Sequence, residues 1–224
     1  HFMAESADIL TSEDQHVILP NLRAGCSMAD MATLSEVEVA WDEILVQSGL
    51  KDPIHRPHPE QPAEDGAAYL VPVTYMNSSA DLKDFVGRHG GVVCTSSNAE
   101  GVLNWAFERA GEKGAVLFFP DQHLGRNTGI AMGIDEERMP TWTPGIGAMG
   151  ELKGARIVLW HGFCSVHKRF TPAQIEAFRA EHPEGIVVVH PECPKQTLEL
   201  ADAYGSTQYI RNFVRDLPAG SSVA

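Results

Sequence analysis

Short runs of residues that are apolar at nearly every position recur along the chain: Leu70 to Tyr75, Gly91 to Cys94, Ala115 to Phe119, Ile157 to Trp160 and Ile186 to Val189. A strand with one face in water alternates polar and apolar residues, so runs without alternation belong to strands covered on both faces. Amphipathic stretches with Gly, Pro, Asn and Ser at the joins separate the runs. The predicted class is therefore α/β, a parallel sheet with helices on both sides. Val17-Ile18-Leu19 reads as a further strand. The clearest helix starts at Thr171, has Pro172 at its first position, turns Ile175 and Phe178 inward and stops near His182-Pro183. Others are expected up to Leu10, after Met28, around Asn98 to Ala110, and from Gln196 to Ala203. Two segments break the rhythm, proline-rich Leu50 to Gly66 and Gly- and Met-rich Asn127 to Lys153. Both are read as surface excursions. His55 and His58, and the acidic turn Asp135-Glu136-Glu137, are read as solvated.

Composition limits the partners. The 224 residues are 43% hydrophobic, enough for a core, and carry a net charge of −13. That leaves no broad basic field for a polyphosphate, so nucleic acid is not expected. No apolar run approaches the roughly 18 residues of a membrane span, and no basic-then-apolar leader opens the sequence, so a soluble, cytoplasmic chain with no membrane contact is expected. The opening His1-Phe2-Met3-Ala4-Glu5 reads as a cut edge, with Met3 already inside a helical pattern.

Four cysteines, Cys26, Cys94, Cys164 and Cys193, are scattered without a C-x-x-C pair, so any that work together must converge from separate units. A free Cys is more often a small buried hydrophobe than a ligand. Two of them sit in a weak internal echo: Val17-Ile18-Leu19-Pro20 leads to Cys26-Ser27-Met28, and Ile157-Val158-Leu159-Trp160 leads to Cys164-Ser165-Val166. Loops beyond the carboxyl ends of parallel strands are where open α/β sheets bind ligands. Other runs end in reactive residues too. His190-Pro191-Glu192-Cys193 follows Val187-Val188-Val189, and Tyr75, Asn77, Ser78 and Ser79 follow the run from Val71. Thr95-Ser96-Ser97-Asn98 opens a helix, where free backbone N–H groups suit a carboxylate or phosphate. Gly205-Ser206-Thr207 offers a second such turn. Together they describe a site with soft thiolate ligands, anion-binding turns and a His/Glu pair for proton transfer.

Seven motifs carry a resemblance, in order: His1-Phe2-Met3-Ala4-Glu5; Leu19-Pro20 through Ala24-Gly25-Cys26-Ser27-Met28-Ala29-Asp30-Met31; Tyr75-Met76-Asn77-Ser78-Ser79-Ala80; Cys94-Thr95-Ser96-Ser97-Asn98-Ala99; Phe119-Pro120-Asp121-Gln122-His123-Leu124-Gly125; Gly162-Phe163-Cys164-Ser165-Val166-His167; and His190-Pro191-Glu192-Cys193-Pro194. The chain resembles the quinolinate synthase family over nearly its whole length. The resemblance implies a pseudo-threefold arrangement of three-layer α/β domains with short parallel sheets around a central site, with residues 1–55 as the C-terminal part of the first, 56–168 as the second with its insertions, and 169–224 as the N-terminal part of the third. It also implies a transferase of NAD biosynthesis. This enzyme condenses iminoaspartate, supplied by an aspartate-oxidising enzyme, with dihydroxyacetone phosphate, and releases phosphate and water to leave quinolinate. Its cofactor is a 4Fe-4S cluster with one open iron site. By motif, Cys26 and Cys164 match two cluster ligands, with the third beyond Ala224; Cys94 and Cys193 are left as packing. The substrate-contacting positions fall on Tyr75, Asn77, Ser96, His167, His190, Glu192 and Thr207, and the catalytic ones on His190, Glu192 and Tyr75. The chain reads as an internal fragment, expected to be inactive alone. Two other readings are compatible with some of these residues: a mononuclear metal hydrolase built on His161, His167, His190 and Glu192, or a non-catalytic iron-sulfur or redox-sensing module.

Overall fold

The computed structural model describes residues 2–59 and 61–224; His1 of the first motif, and Glu60 inside the proline-rich segment, lie outside the described residues. Helices α1 (Phe2–Leu10) and α2 (Leu34–Ser48) come first. Then follow β1 (Leu70–Tyr75), α3 (Ala80–Arg88), β2 (Val92–Cys94), α4 (Ala99–Ala110), β3 (Ala115–Phe119), α5 (Gln122–Ala131), β4 (Thr141–Thr143), β5 (Gly147–Met149) and β6 (Ile157–Trp160). The chain finishes with α6 (Pro172–Glu181), β7 (Val188–Val189), α7 (Lys195–Leu198), β8 (Ala203–Tyr204) and α8 (Thr207–Arg215).

The main sheet has the order β2-β1-β3-β6-β4-β5, parallel throughout except for the β4–β5 hairpin. Every residue of β1, β3 and β6 is buried, because each strand carries two apolar faces with a helical layer on each. On one side Val37, Trp41 and Ile44 of α2, with Leu82 and Phe85 of α3, pack on Leu70, Leu117, Phe119 and Trp160. On the other, Leu103 and Ala106 of α4 and Leu124 of α5 pack on Val71, Val73, Val116, Phe118 and Leu159. The α/β class is thus as expected, and a second, two-stranded parallel sheet pairs β7 with β8.

Local chemistry sets the helix ends. Thr33 and Glu36 form a reciprocal capping box at α2, and Gly49 at φ 74° closes its carboxyl end. Thr171, Gln174 and Pro172 do the same at the start of α6. Asp121 caps α5 by accepting the Leu124 N–H at 2.7 Å. Helix α5 lies close on the sheet because position 125 is glycine: a Cβ there would stand 2.6 Å from Leu159 Cδ2 and 2.7 Å from Phe118 Cδ1. Gly125→Ala should overpack this contact and cost about 1–3 kcal/mol, lowering the thermal midpoint by about 2–10 °C. Melting followed by circular dichroism checks it, and an unchanged midpoint would show that α5 can lift without cost.

Three expectations need correction. Val17-Ile18-Leu19 is not a strand; Ile18 is 83% exposed, and no neighbouring strand pairs with the triplet. Asn127 to Lys153 is not simply a surface excursion. It finishes α5, buries Asn127, Met139 and Trp142, and adds β4 and β5 to the sheet. The helix expected over Gln196 to Ala203 is the shorter α7, and Ala203 belongs to β8. Leu50 to Gly66 does run over the surface, with His55 and His58 exposed. Its end is pinned by Arg56, which donates to the carbonyls of Gln61, Pro62 and Arg109.

Candidate active site

Strands β1, β2, β3 and β6 all point their carboxyl ends the same way, and the reactive residues follow at those ends. Tyr75 closes β1, and Ser96 follows β2. Asp121 follows β3, and Cys164 and His167 follow β6. The β7 end supplies His190 and Glu192 from the second sheet.

The 138-residue gap between the two Cys-Ser turns closes here. Ser27 Oγ lies 2.8 Å from Ser165 Oγ, which brings the loops carrying Cys26 and Cys164 together. The Cys26 loop is held from below: Trp160 Nε1 donates to the Met31 carbonyl at 2.7 Å, and the Phe163 N–H approaches Met31 Sδ at 3.4 Å. Cys26 and Cys164 are half-buried free thiols, whereas Cys94 and Cys193 are buried. Burial, with the charges of Glu192 and Asp121, leaves the Cys164 thiol above its ordinary value, although the N–H groups of His167 and Val166 at its sulfur offset part of that rise. Asn77 Nδ2 lies 3.9 Å from Cys26 Sγ. Two soft donors on converging loops, one of them facing backbone N–H groups, are a suitable donor set for part of an iron-sulfur cluster.

Glu192 is the centre of the polar group. It is 3% exposed, and Tyr75 donates to its Oε1 at 2.6 Å. His167 Nδ1 stands 3.0 Å from its Oε2, a close contact whose alignment falls short of a full hydrogen bond. His190 stacks on His167 with ring centroids 4.6 Å apart. Burial works to raise the Glu192 carboxyl, but the His167 contact and the Tyr75 hydrogen bond outweigh it and hold the group below the usual carboxylate range. Burial, then the Glu192 charge, pushes the Tyr75 hydroxyl well up, so it stays protonated. Burial also lowers His190, partly offset by Glu192. The Glu192 N–H faces His190 Nδ1 at 3.3 Å, which assigns the imidazole proton to Nε2. At neutral pH the site thus holds an ionised Glu192, a protonated Tyr75 and a neutral His190.

Asn77 is set beside Cys26, whose loop meets the Cys164 loop at Ser27 and Ser165, and Tyr75, His167, His190 and Glu192 form the next set. Donor atoms of Cys164, His167 and Glu192 lie within 4.8 Å of one another, so the two sets adjoin and could share a metal ion. Ser96 lies beside the Tyr75 hydroxyl. Asn98 does not cap α4: its Oδ1 turns back to the Thr95 N–H at 2.7 Å. Thr207 is exposed at the first turn of α8, at the same edge of the small sheet as His190, and is placed there by topology rather than by contact. His161, counted in the hydrolase reading, is not among the Cys164, His167 and Glu192 donors and has Nδ1 3.2 Å from Thr143 Oγ1.

Two residues that sequence reasoning left without a role hold the site. Asp121 is fully buried, with its carboxyl pushed up to about 7 by burial, and its Oδ2 accepts the Cys164 N–H at 3.1 Å. Asn127 is 5% exposed and donates to the carbonyls of Pro191 and Cys193. The available signals were an Asp between a strand and a helix, and an amide on the buried stripe of that helix.

Comparison with known proteins places the chain in a family. A family model described as Quinolinate synthetase A protein matches residues 1–224. The quinolinate synthase of Corynebacterium glutamicum is 54% identical over 228 residues, which cover 100% of this chain and 53% of that protein. The quinolinate synthases of Streptomyces coelicolor and Rhodopirellula baltica are 50% and 46% identical, covering all of this chain and 53% and 56% of their own lengths. The chain therefore spans about half the length of the curated relatives it matches.

Proposed function

The chain belongs to the quinolinate synthetase A family, and from that premise we propose that it supplies part of the active site of a quinolinate synthase that condenses iminoaspartate with dihydroxyacetone phosphate. One observation carries the reading. The Cys26 and Cys164 turns, 138 residues apart, meet at Ser27 and Ser165 beside the Tyr75–Glu192–His167 group. In this reading Cys26 and Cys164 are two ligands of a 4Fe-4S cluster, and further protein, arranged with pseudo-threefold symmetry, supplies the third. When bound, the cluster would provide a Lewis-acidic iron that polarises a substrate oxygen.

The chain's own residues account for the remaining chemistry. Asn77 faces the sulfur side and can orient a polar substrate atom between the two groups. Ser96, with the uncapped N-terminus of α4, can receive a carboxylate or phosphate, because the first N–H groups of a helix lack internal partners. Thr207 would do the same from α8. The Glu192 carboxylate is ready to accept a proton at Oε2, while Tyr75 Oη keeps its own. His190 offers Nε2–H to a substrate oxygen and stays uncharged, so that proton transfer begins from a neutral imidazole. The chain's −13 charge does not help attract two anionic substrates, so these local donors must provide the affinity.

The test is anaerobic reconstitution of the full-length protein with iron and sulfide, and of this chain beside it. The expected result is visible cluster absorbance and quinolinate from the two substrates in the full-length protein, and no product from this chain alone. The Cys164–His167–Glu192 group favours one other reading, a mononuclear metal hydrolase. A colourless full-length protein that binds one zinc and makes no quinolinate would replace the first reading with that one. Among the described residues no helix is long and apolar enough to cross a membrane.

A further inference from the structure

Helix α5 touches both halves of the site. At its start, Asp121 accepts the Leu124 N–H and the Cys164 N–H, one with each carboxylate oxygen. Six residues on, Asn127 Nδ2 donates to the Pro191 carbonyl at 2.8 Å and the Cys193 carbonyl at 2.9 Å. Those carbonyls flank Glu192 on either side. The turn has one internal backbone bond, from the Cys193 N–H to the His190 carbonyl at 2.9 Å, so its placement against the rest of the site depends on outside contacts. Asn127 offers both hydrogens of one planar amide to two carbonyls, which fixes the turn in orientation as well as distance.

We propose that Asn127 is a positioning residue: it fixes the Pro191–Cys193 turn to α5 so that Glu192 meets Tyr75 and His167 at a set distance from the Cys164 turn. The inference rests on the function proposed above for its kinetic consequence, and on geometry alone for its structural one. Among the described residues Asn127 makes no hydrogen bond to the Glu192 carboxylate or to a thiol, so its effect on the site runs through the turn. A displacement of about an ångström at a proton-transfer group costs up to about 100-fold in rate, so the substitution should slow turnover more than it weakens binding.

The experiment compares wild-type full-length protein with Asn127→Leu, which keeps the side-chain heavy-atom count and branch point and removes both donors. Two readouts are taken. In the apo protein, exchange of the Glu192 and Cys193 amides should speed up about tenfold or more while the amides of α5 keep their protection, since local opening is read separately from global unfolding. In the reconstituted enzyme, kcat should fall about 10- to 100-fold with KM within about threefold of wild type. Asn127→Asp supplies a second arm if the first variant does not fold. Its ionised carboxylate has no hydrogen for either carbonyl, and the same two changes are expected. Unchanged exchange at Glu192 and Cys193 overturns the proposal, as does loss of protection throughout α5, which would make Asn127 a helix-packing residue. If the wild type makes no quinolinate, the function fails, and the exchange arm still decides the positioning.

Discussion

Cys164→Ser in the full-length protein is expected to remove the visible cluster absorbance and to lower quinolinate formation by about 10³-fold or more, the equivalent of losing several kcal/mol of Lewis-acid stabilisation. The argument concerns the donor atom. A hydroxyl is harder and far less acidic than a thiol, so the substitution keeps the size and loses the soft anionic ligand. The Val166 and His167 N–H groups at the sulfur give that anion partial support against the burial that raises the thiol, and Asp121 holds the turn by accepting the Cys164 N–H. Cys26→Ser should behave alike, because its loop is fixed against the same turn through Ser27 and Met31. Buried Cys94 and Cys193 serve as controls. Cys94→Ala and Cys193→Ala should keep the absorbance per chain, at the cost of some stability from the small cavity each leaves. Iron and sulfide content measured beside the absorbance checks all four. If Cys193→Ala lost the cluster, the ligand assignment would have to move to the His190–Cys193 turn.

The parts of the fold that could be read in advance are those whose cause is local. Leu70–Tyr75, Ala115–Phe119 and Ile157–Trp160 are apolar on both faces, and only a twice-covered strand uses such a run. Thr171-Pro172 announces α6 by capping chemistry alone. The misreadings share a different cause. Val17-Ile18-Leu19 has strand composition but no strand beside it to pair with. Thr141–Thr143 and Gly147–Met149 have no apolar run and become strands because β6 offers its edge at Leu159 and Trp160 to Thr141 and Trp142. The site divides in the same way. Tyr75, Cys164, His190 and Glu192 follow runs that can be recognised as strands, so their position at a strand end is legible. The roles of Asp121 and Asn127 depend on partners 43 and 64 to 66 residues away, a pairing that no local pattern encodes.

Glu192→Gln is expected to lower kcat by about 10²- to 10⁴-fold, the usual contribution of a positioned general acid–base group, while cluster absorbance remains. The amide can still accept the Tyr75 hydrogen bond, so the fold around β1 should hold and the loss should lie in proton transfer. The pH dependence separates this from a steric effect. In the wild type the working form needs an ionised Glu192 and a neutral His190, and both groups are shifted down from their ordinary values. Activity should therefore be full at neutral pH and fall only below the ordinary imidazole value of about 6.5. The Glu192 charge favours the His190 imidazolium and so raises that group. Removing the charge lowers His190 further, and the remaining acid limb of Glu192→Gln should move to lower pH, not higher. Measuring kcat against pH for the two proteins tests the sign. A limb that moved up, or a Gln variant within about threefold of wild type, would mean that Glu192 orients Tyr75 and His167 without moving a proton.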